Sequence, residues 1–234
     1  MKLPTKPLKV SHDLRDYNIF IHGPKKVGKT ELCAGCPDAF FFICEQAGIG
    51  NEIFGQRIED WSTIRKLVKA LEKEKDRFRT IVVDTIDRAY DMCLEYVCER
   101  NGIIHPGEEK DYGASWSKVR QEFSSIWNRI GATGRSLIFT SHSKVNTISR
   151  RSGFSYDKIM PTATGQCLDA VDALCHIALY ADYVTTDIMD YGKAWQQDAR
   201  ILITQGDEHV YAGRGKPAKK MPPILPLLEA PEGW

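Results

Sequence analysis

The segment Gly23-Pro24-Lys25-Lys26-Val27-Gly28-Lys29-Thr30 constrains the fold of this 234-residue chain more than any other. It has the pattern G-x-x-x-x-G-K-[ST], in which glycines let the backbone approach a phosphate closely. Successive N–H groups of such a loop form an anion-binding nest. In this pattern Lys29 contacts the β- and γ-phosphates, and Thr30 offers a hydroxyl to Mg²⁺. We therefore predict that residues 23–30 bind ATP.

The flanking residues supply the context that this motif requires. Residues 17–22, Tyr-Asn-Ile-Phe-Ile-His, form a β-rich run that predicts a buried strand. Residues 31–34 can continue a helix, and Gly35 and Pro37 are typical helix-ending residues. A lysine-rich surface turn is the alternative, but the order strand, glycine loop, helix favours a P-loop NTPase.

Composition indicates one soluble globular domain. Hydrophobic residues make up 42% of the chain and charged residues 27%, and no apolar run approaches the ~20 residues of a membrane span. We predict an N-terminal arm over 1–16, a core domain over 17–215 and a proline-rich tail over 216–234. The N-terminus lacks the apolar stretch of a signal peptide, so we expect a cytoplasmic protein. The net charge is +1, so any nucleic-acid contact requires a local basic patch.

The cysteines do not indicate a disulfide framework. There are seven, an odd number, spread through predicted core segments. Cys33 and Cys36 form a C-x-x-C pair, but a zinc site needs a second ligand pair that the sequence lacks. A redox role for this pair stays open, and buried core cysteines are the favoured interpretation.

Two acidic residues end apolar strands. The run Ala39-Phe40-Phe41-Phe42-Ile43-Cys44 predicts a buried parallel strand that leads to Glu45. Ligands of open α/β sheets bind at the carboxyl ends of strands, so we expect Glu45 to face the nucleotide rather than to be a solvated loop residue. Likewise, residues 80–83 lead to Asp84, which we predict orients Mg²⁺ or its water, with Asp87 behind it. The alternative for Asp84 is a helix N-cap.

Apolar spacing predicts helices over about 61–75, 86–99 and 115–130. Residues 136–142 then predict a strand with His142 at its polar tip, whereas residues 48–55 read as a glycine-containing loop. Residues 173–180 and 200–204 predict two antiparallel strands across a polar connection. We therefore expect an α/β fold with a mostly parallel central sheet, flanking helices and a C-terminal antiparallel hairpin.

Residues 143–164 carry four basic residues against one acidic residue, a net charge of +3. The segment lacks clear periodicity, so it predicts a long mobile loop, which is typical of a functional segment. We predict that it contacts single-stranded DNA, with aromatic rings stacking on bases and cations neutralising phosphates. The predicted contact residues are Lys144, Arg150, Arg151, Phe154, Tyr156 and Lys158.

The order of these elements resembles the RecA-like P-loop ATPases, and more closely the phage-encoded, Sak-type single-strand annealing ATPases. The residues that carry the resemblance are those of the loop at 23–30, Glu45, Ile81-Val82-Val83-Asp84-Thr85-Ile86-Asp87, Asp111-Tyr112-Gly113-Ala114-Ser115-Trp116 and Ile138-Phe139-Thr140-Ser141-His142.

The resemblance implies a RecA-like core and an Mg-dependent ATPase acting in DNA recombination within the bacterial host cytoplasm. It implies that Glu45 is the base that activates water and that His142 senses the γ-phosphate. It also implies a ring or filament, with a single-strand binding protein as a candidate partner. We further predict that Arg214 or Lys216 of a neighbouring subunit supplies positive charge to the γ-phosphate.

Other function classes remain open from the sequence. A P-loop kinase for a small molecule would carry Arg150 and Arg151 on a lid that clamps phosphates. Glu45 favours a hydrolase, because a kinase excludes water from its site. A third hypothesis is an interaction partner of other proteins that binds nucleotide without hydrolysing it. A GTPase is disfavoured because the chain has no N-K-x-D motif.

Overall fold

The computed structural model of the protein describes residues 11, 13–45, 50, 52–74, 77–163, 165–190, 193–214 and 224–226, with backbone alone for 186–190, 193–197, 214, 224 and 226. The first half contains a short 3-10 helix (Leu14–Asp16), β1 (Ile19–Gly23), α1 (Lys29–Ala34), β2 (Ala39–Ile43), β3 (Phe54–Arg57), α2 (Trp61–Leu71), β4 (Thr80–Asp84) and α3 (Ile86–Asn101). The second half contains α4 (Ala114–Ala132), β5 (Ser136–Ser149), β6 (Ser155–Pro161), α5 (Gln166–Leu174), β7 (Ile177–Asp190), β8 (Lys193–Ile203), β9 (Gly213–Arg214) and β10 (Ile224–Pro226).

The sheet is mostly parallel, as the sequence predicts. Its strand order in the described residues is β10-β8-β7-β1-β5-β4-β2-β3, and neighbours from β7 to β3 pair in parallel. Strands β7 and β8 form the C-terminal antiparallel hairpin, with β10 beyond β8 and β9 paired to β7. Strand β1 lies in the middle, so the loop that follows it opens at the carboxyl edge, where ligands bind in such sheets.

Alternating residues of the central strands bury both faces of the sheet. Ile19 and Ile21 of β1 pack in one apolar cluster with residues of α1, whereas Phe20 packs in the other with residues of α2, α3, α4 and α5. The second cluster is rich in aromatic rings, and Trp127 of α4 lies 5.7 Å from Phe123 between ring centroids. The predicted helices are all present. Each presents one apolar stripe to the sheet, which is the spacing that makes it recognisable in the sequence. No helix in the described part of the chain is long and apolar enough to cross a membrane.

The segment 143–164 is not the irregular loop that the sequence predicts. Strand β5 continues through Ser149 and pairs antiparallel with β6, from Ser143 opposite Pro161 to Ser149 opposite Ser155. A turn closes this two-stranded ribbon, in which Arg150 N–H donates to the carbonyl of Phe154 at 2.8 Å. The ribbon leaves the core, so neither face needs the apolar alternation that identifies a half-buried strand. His142 is therefore in the middle of a strand and not at its tip.

Three other predictions are corrected. Residues 173 and 174 belong to α5, which buries Cys167, Ala170 and Val171, and the strand begins only at Ile177. Strands β7 and β8 also extend far into the predicted polar connection. The predicted loop at 48–55 contains the start of β3, where a Cβ on Gly55 would lie 2.9 Å from the Phe41 carbonyl oxygen. That glycine permits close strand approach rather than marking a loop.

Candidate nucleotide-binding and hydrolysis site

The loop between β1 and α1 has the backbone that the motif requires. Gly28 caps α1 with φ 110°, a conformation that favours glycine, and Lys26 has φ 65°. Gly23 ends β1 against β7, where a Cβ would lie 2.4 Å from the carbonyl oxygen of Ala181. Both motif glycines are therefore dictated by local geometry, one by its φ angle and the other by close packing.

The Lys29 side chain folds back to the start of this loop. Its side chain is almost fully buried, and Nζ donates to the carbonyl oxygens of Gly23 and Pro24, each at 2.8 Å. Burial lowers the pKa of Lys29, whereas the nearby carboxylates of Asp84 and Glu45 act in the opposite direction. An ammonium has three donors, so two hydrogen bonds to carbonyls leave capacity for a phosphate oxygen.

Asp84, the last residue of β4, connects the phosphate-binding motif to the neighbouring strand β5. Its Oδ2 accepts a hydrogen bond from Thr30 Oγ1 at 2.6 Å, and its Oδ1 accepts one from Thr140 Oγ1 at 2.5 Å. The N-cap of α3 is Thr85, so Asp84 does not have the alternative capping role. A hydroxyl beside a carboxylate suits Mg²⁺, which typically takes one or two carboxylates together with substrate phosphates. The described residues contain no cluster of three or more His, Cys, Asp or Glu side chains suited to a metal ion.

Glu45 and His142, predicted separately, lie side by side. Glu45 Oε1 accepts a hydrogen bond from Thr85 Oγ1 at 3.0 Å and lies 2.9 Å from His142 Nε2. A carboxylate only accepts hydrogen bonds, so this contact puts the imidazole proton on Nε2. The Glu45 side chain is 36% exposed, so it is accessible to water. Thr85 and His142 therefore orient a carboxylate at the edge of the cleft.

A partly buried polar cluster lies behind this pair. Asp87 Oδ1 accepts hydrogen bonds from Ser141 Oγ at 3.1 Å and Thr162 Oγ1 at 2.8 Å. Thr162 N–H in turn donates to the carbonyl of His142 at 2.8 Å. The first turn of α3 is thus connected to both strands at the root of the ribbon. The sequence predicts Asp87 behind Asp84, whereas no local pattern indicates Thr162, which follows β6 in the segment predicted to be a loop.

These groups open into one cleft of ≈ 610 Å³, whose lining includes Lys29, Thr30, Glu45, Asp84 and His142. Arg200 of β8 also lines it, and its Nη1 donates to Glu31 Oε2 at 3.0 Å. Sequence reasoning missed Arg200 because no local motif surrounds it. Only the pairing of β8 with β7 and of β7 with β1 brings it to the loop.

The C-x-x-C cysteines are both buried and free. Burial raises the pKa of the Cys33 thiol and of the Cys36 thiol above their ordinary values. Neutral buried thiols are poor nucleophiles, and Cys33 packs in the apolar cluster beneath α1. The arrangement fits the core interpretation of this pair.

The pairing of β5 with β6 puts several of the predicted DNA-contact residues on one face of the ribbon. Lys144 lies opposite Met160, Asn146 opposite Lys158, and Ile148 opposite Tyr156, so these side chains share a face. The ring of Phe154 lies 6.5 Å from that of Tyr156, with an interplanar angle of 21°. Lys144, Arg151 and Phe154 are exposed, the last at the turn.

Arg150 is partly neutralised. Its Nη2 donates to Glu208 Oε2 at 2.6 Å, and its guanidinium lies 4.9 Å from the centre of the Tyr156 ring. Of the two residues predicted to act in trans, Arg214 lies in β9, paired with Ile177 of β7. The other, Lys216, lies outside the described residues. Their role stays a prediction.

The comparisons with known proteins agree with this geometry. A family model described as an AAA domain matches residues 15–214, and the chain belongs to that family. It is therefore of the P-loop ATPase type. The chain is also 27% identical over 140 residues to the SPbeta prophage-derived uncharacterized protein YorG of Bacillus subtilis (strain 168). That alignment covers 57% of this chain and 43% of YorG, so the chain spans less than half the length of this relative.

Proposed function

We propose that the protein binds Mg·ATP, hydrolyses it, and uses turnover to act on single-stranded DNA in phage-type recombination or annealing. The observation that carries the hydrolysis proposal is the Glu45 carboxylate, oriented by Thr85 at 3.0 Å and by His142 at 2.9 Å. It lines the same cleft as the phosphate-binding loop. A positioned carboxylate beside a phosphate site has the geometry of a general base.

In this proposal residues 23–30 bind the triphosphate through backbone N–H groups and Lys29. The Thr30 hydroxyl and the Asp84 carboxylate hold Mg²⁺, which supplies charge neutralisation to the phosphates when bound. Glu45 accepts a proton from the attacking water. His142, which donates to Glu45, keeps that carboxylate aimed and lies where it can respond to the γ-phosphate.

The DNA part of the proposal depends on the ribbon of β5 and β6. Its face with Lys144, Tyr156 and Lys158 combines positive charge with an aromatic ring, and Phe154 is stacked at its end. Aromatic rings and cations along one groove are the typical means of binding single strands without sequence preference. Glu208 competes for Arg150, so Glu208→Gln is expected to strengthen DNA binding.

The kinase alternative has weaker support. It requires Arg150 and Arg151 on a lid over the phosphates. Arg150 instead contacts Glu208 and Tyr156, at the far end of the paired ribbon from His142. Glu45 also remains open to water, whereas a kinase excludes water from the transferred phosphoryl group.

We further propose a ring or filament in the cytoplasm of a bacterial host, with Arg214 or Lys216 of one subunit serving the site of the next. The printed name of YorG, a prophage-derived protein, supports the phage setting. Mixing wild-type subunits with an Arg214→Ala/Lys216→Ala variant tests the shared site. Activity that falls only in proportion to dilution argues against it.

The decisive experiment measures ATP turnover of the purified protein with and without single-stranded DNA. Lys29→Ala is the negative control, because it removes the phosphate-binding ammonium. We expect Mg-dependent turnover that DNA stimulates. Binding without turnover would support the nucleotide-binding partner, and phosphate transfer to a small molecule would support the kinase. An ATP turnover rate that is the same with and without single-stranded DNA would refute the DNA part of the proposal.

A further inference from the structure

Arg200 is a cation at the nucleotide cleft that lies outside the phosphate-binding motif. It comes from β8, far from residues 23–30 in sequence, yet it lines the same cleft as Lys29 and Thr30. Its Nη1 donates to Oε2 of Glu31 at 3.0 Å. Because Glu31 follows Thr30 directly, this contact brings the guanidinium beside the residues that bind phosphate.

The β7–β8 hairpin lies against the loop. Tyr183 of β7 lies opposite Arg200 in the ladder, and its hydroxyl donates to the carbonyl oxygen of Lys26 at 3.0 Å. The Tyr183 contact reaches the loop itself, and the Arg200 contact reaches the helix that follows it. The absent side chain of Gly23 lets β7 approach this closely. Arg200 is thus carried by a strand that pairs with β7, and β7 contacts the loop through Tyr183.

Glu31, the partner of Arg200, carries a negative charge that is unfavourable beside a polyanion. A Glu31 carboxylate beside a nucleoside triphosphate is repelled by it, whereas a guanidinium is attracted and matches phosphate oxygens in a bidentate fork. The ion pair itself is partly open to water, with side-chain exposures of 29% for Arg200 and 52% for Glu31. Such pairs are weak, so a phosphate group competes well for the arginine.

We infer that Arg200 leaves Glu31 when nucleotide binds and contacts the phosphates of the nucleoside triphosphate held by the same subunit. It is therefore a nucleotide-binding residue that raises affinity, in addition to residues 23–30. The inference rests on the proposed ATP binding. The competing interpretation is a surface ion pair that only neutralises Glu31.

The test uses four variants of the full chain: Arg200→Ala, Arg200→Lys, Glu31→Gln and the double variant Arg200→Ala/Glu31→Gln. The dissociation constant of a non-hydrolysable β,γ-imido ATP analogue is measured by calorimetry. Thermal unfolding is followed for each variant, and KM and kcat are compared. Arg129→Ala is the matched control, because Arg129 makes a similar ion pair with Glu72 at 2.7 Å away from the cleft.

We expect Arg200→Ala to raise the dissociation constant on the order of tenfold, as for loss of a charge-assisted hydrogen bond. KM should rise more than kcat falls. Arg200→Lys should recover part of the affinity, since the charge remains without the fork. Glu31→Gln should tighten binding, because it removes both a repulsive charge and a competitor. Arg129→Ala should bind as the wild type does.

The double variant separates the two interpretations. If Arg200 contacts phosphate, Arg200→Ala/Glu31→Gln binds more weakly than Glu31→Gln alone. Equal affinities of these two variants would refute the inference, because Arg200 would then only neutralise Glu31. An Arg200→Ala variant that binds as the wild type does would also refute it while leaving the proposed function intact. A wild-type protein that binds no nucleotide would refute both.

Discussion

Replacing Glu45 by glutamine tests the catalytic proposal most directly. The change keeps the shape of the side chain and leaves an amide oxygen that can accept a hydrogen bond from Thr85. In the wild-type protein the Thr85 hydroxyl lies 3.0 Å from the carboxylate oxygen. It removes the ability to take a proton from water. A positioned general base contributes on the order of a hundredfold or more, which is about 2.7 kcal/mol of activation free energy. We expect kcat to fall by at least that factor.

The assay compares steady-state phosphate release with the dissociation constant of the β,γ-imido ATP analogue. Glu45→Gln should change the rate but leave binding within a few-fold, because the motif residues hold the phosphates. Thr85→Val is a second variant that should have a smaller effect. It removes one hydrogen bond that orients the carboxylate, so we expect kcat to fall roughly five- to tenfold, which corresponds to about 1–1.4 kcal/mol. A Glu45→Gln variant that hydrolyses ATP at the wild-type rate would refute the assignment and require another base.

The remaining predictions concern phosphate, metal and DNA binding. Lys29→Ala should abolish nucleotide binding in calorimetry while circular dichroism shows a folded protein; normal turnover would contradict the site. Asp84→Asn should raise the Mg²⁺ concentration needed for half-maximal turnover, because it removes the carboxylate charge beside Thr30; an unchanged Mg²⁺ titration would count against it. Arg150→Ala/Arg151→Ala should weaken binding of labelled single-stranded oligonucleotide and flatten its salt dependence, since fewer counterions are released. Wild-type affinity and salt slope in that variant would exclude these two residues from the DNA path.

The centre of the fold and the main residues of the cleft were accessible from sequence. Residues 23–30 carry a motif whose geometry is local, and Asp84 follows a short apolar run that reads clearly as a buried strand. Parallel strands end at a common edge, so Glu45 and His142 were expected near the same nucleotide. Their direct contact was not expected, because it depends on the register of β2, β4 and β5.

The ribbon and the outer part of the hairpin are misassigned for the same physical reason. The ribbon strands and the outer part of β7 and β8 extend beyond the core, where polar residues are tolerated on both faces and period-two patterning disappears. Gly55 suggested a loop, although it serves close packing on Phe41. Arg200 was missed for another reason. Its proximity to Glu31 arises from strand pairing between residues distant in sequence, which local patterns do not encode.

Strand β5 is a single 14-residue element that belongs both to the central sheet and to the ribbon with β6. Its first half is fixed between β1 and β4, and the part from Ser143 to Ser149 extends outward in the ribbon. At about 3.3 Å per residue that outer part is roughly 23 Å long, and beside it the Ile159 N–H of β6 donates to the carbonyl of His209 at 2.7 Å. We take His142, where the outer part begins, as its fulcrum. A tilt of about 5° at the fulcrum moves the far end by about 2 Å. A small displacement at His142, which contacts Glu45, is thus amplified to about 2 Å at the tip of the ribbon, about a third of the 6.5 Å between the ring centroids of Phe154 and Tyr156 there.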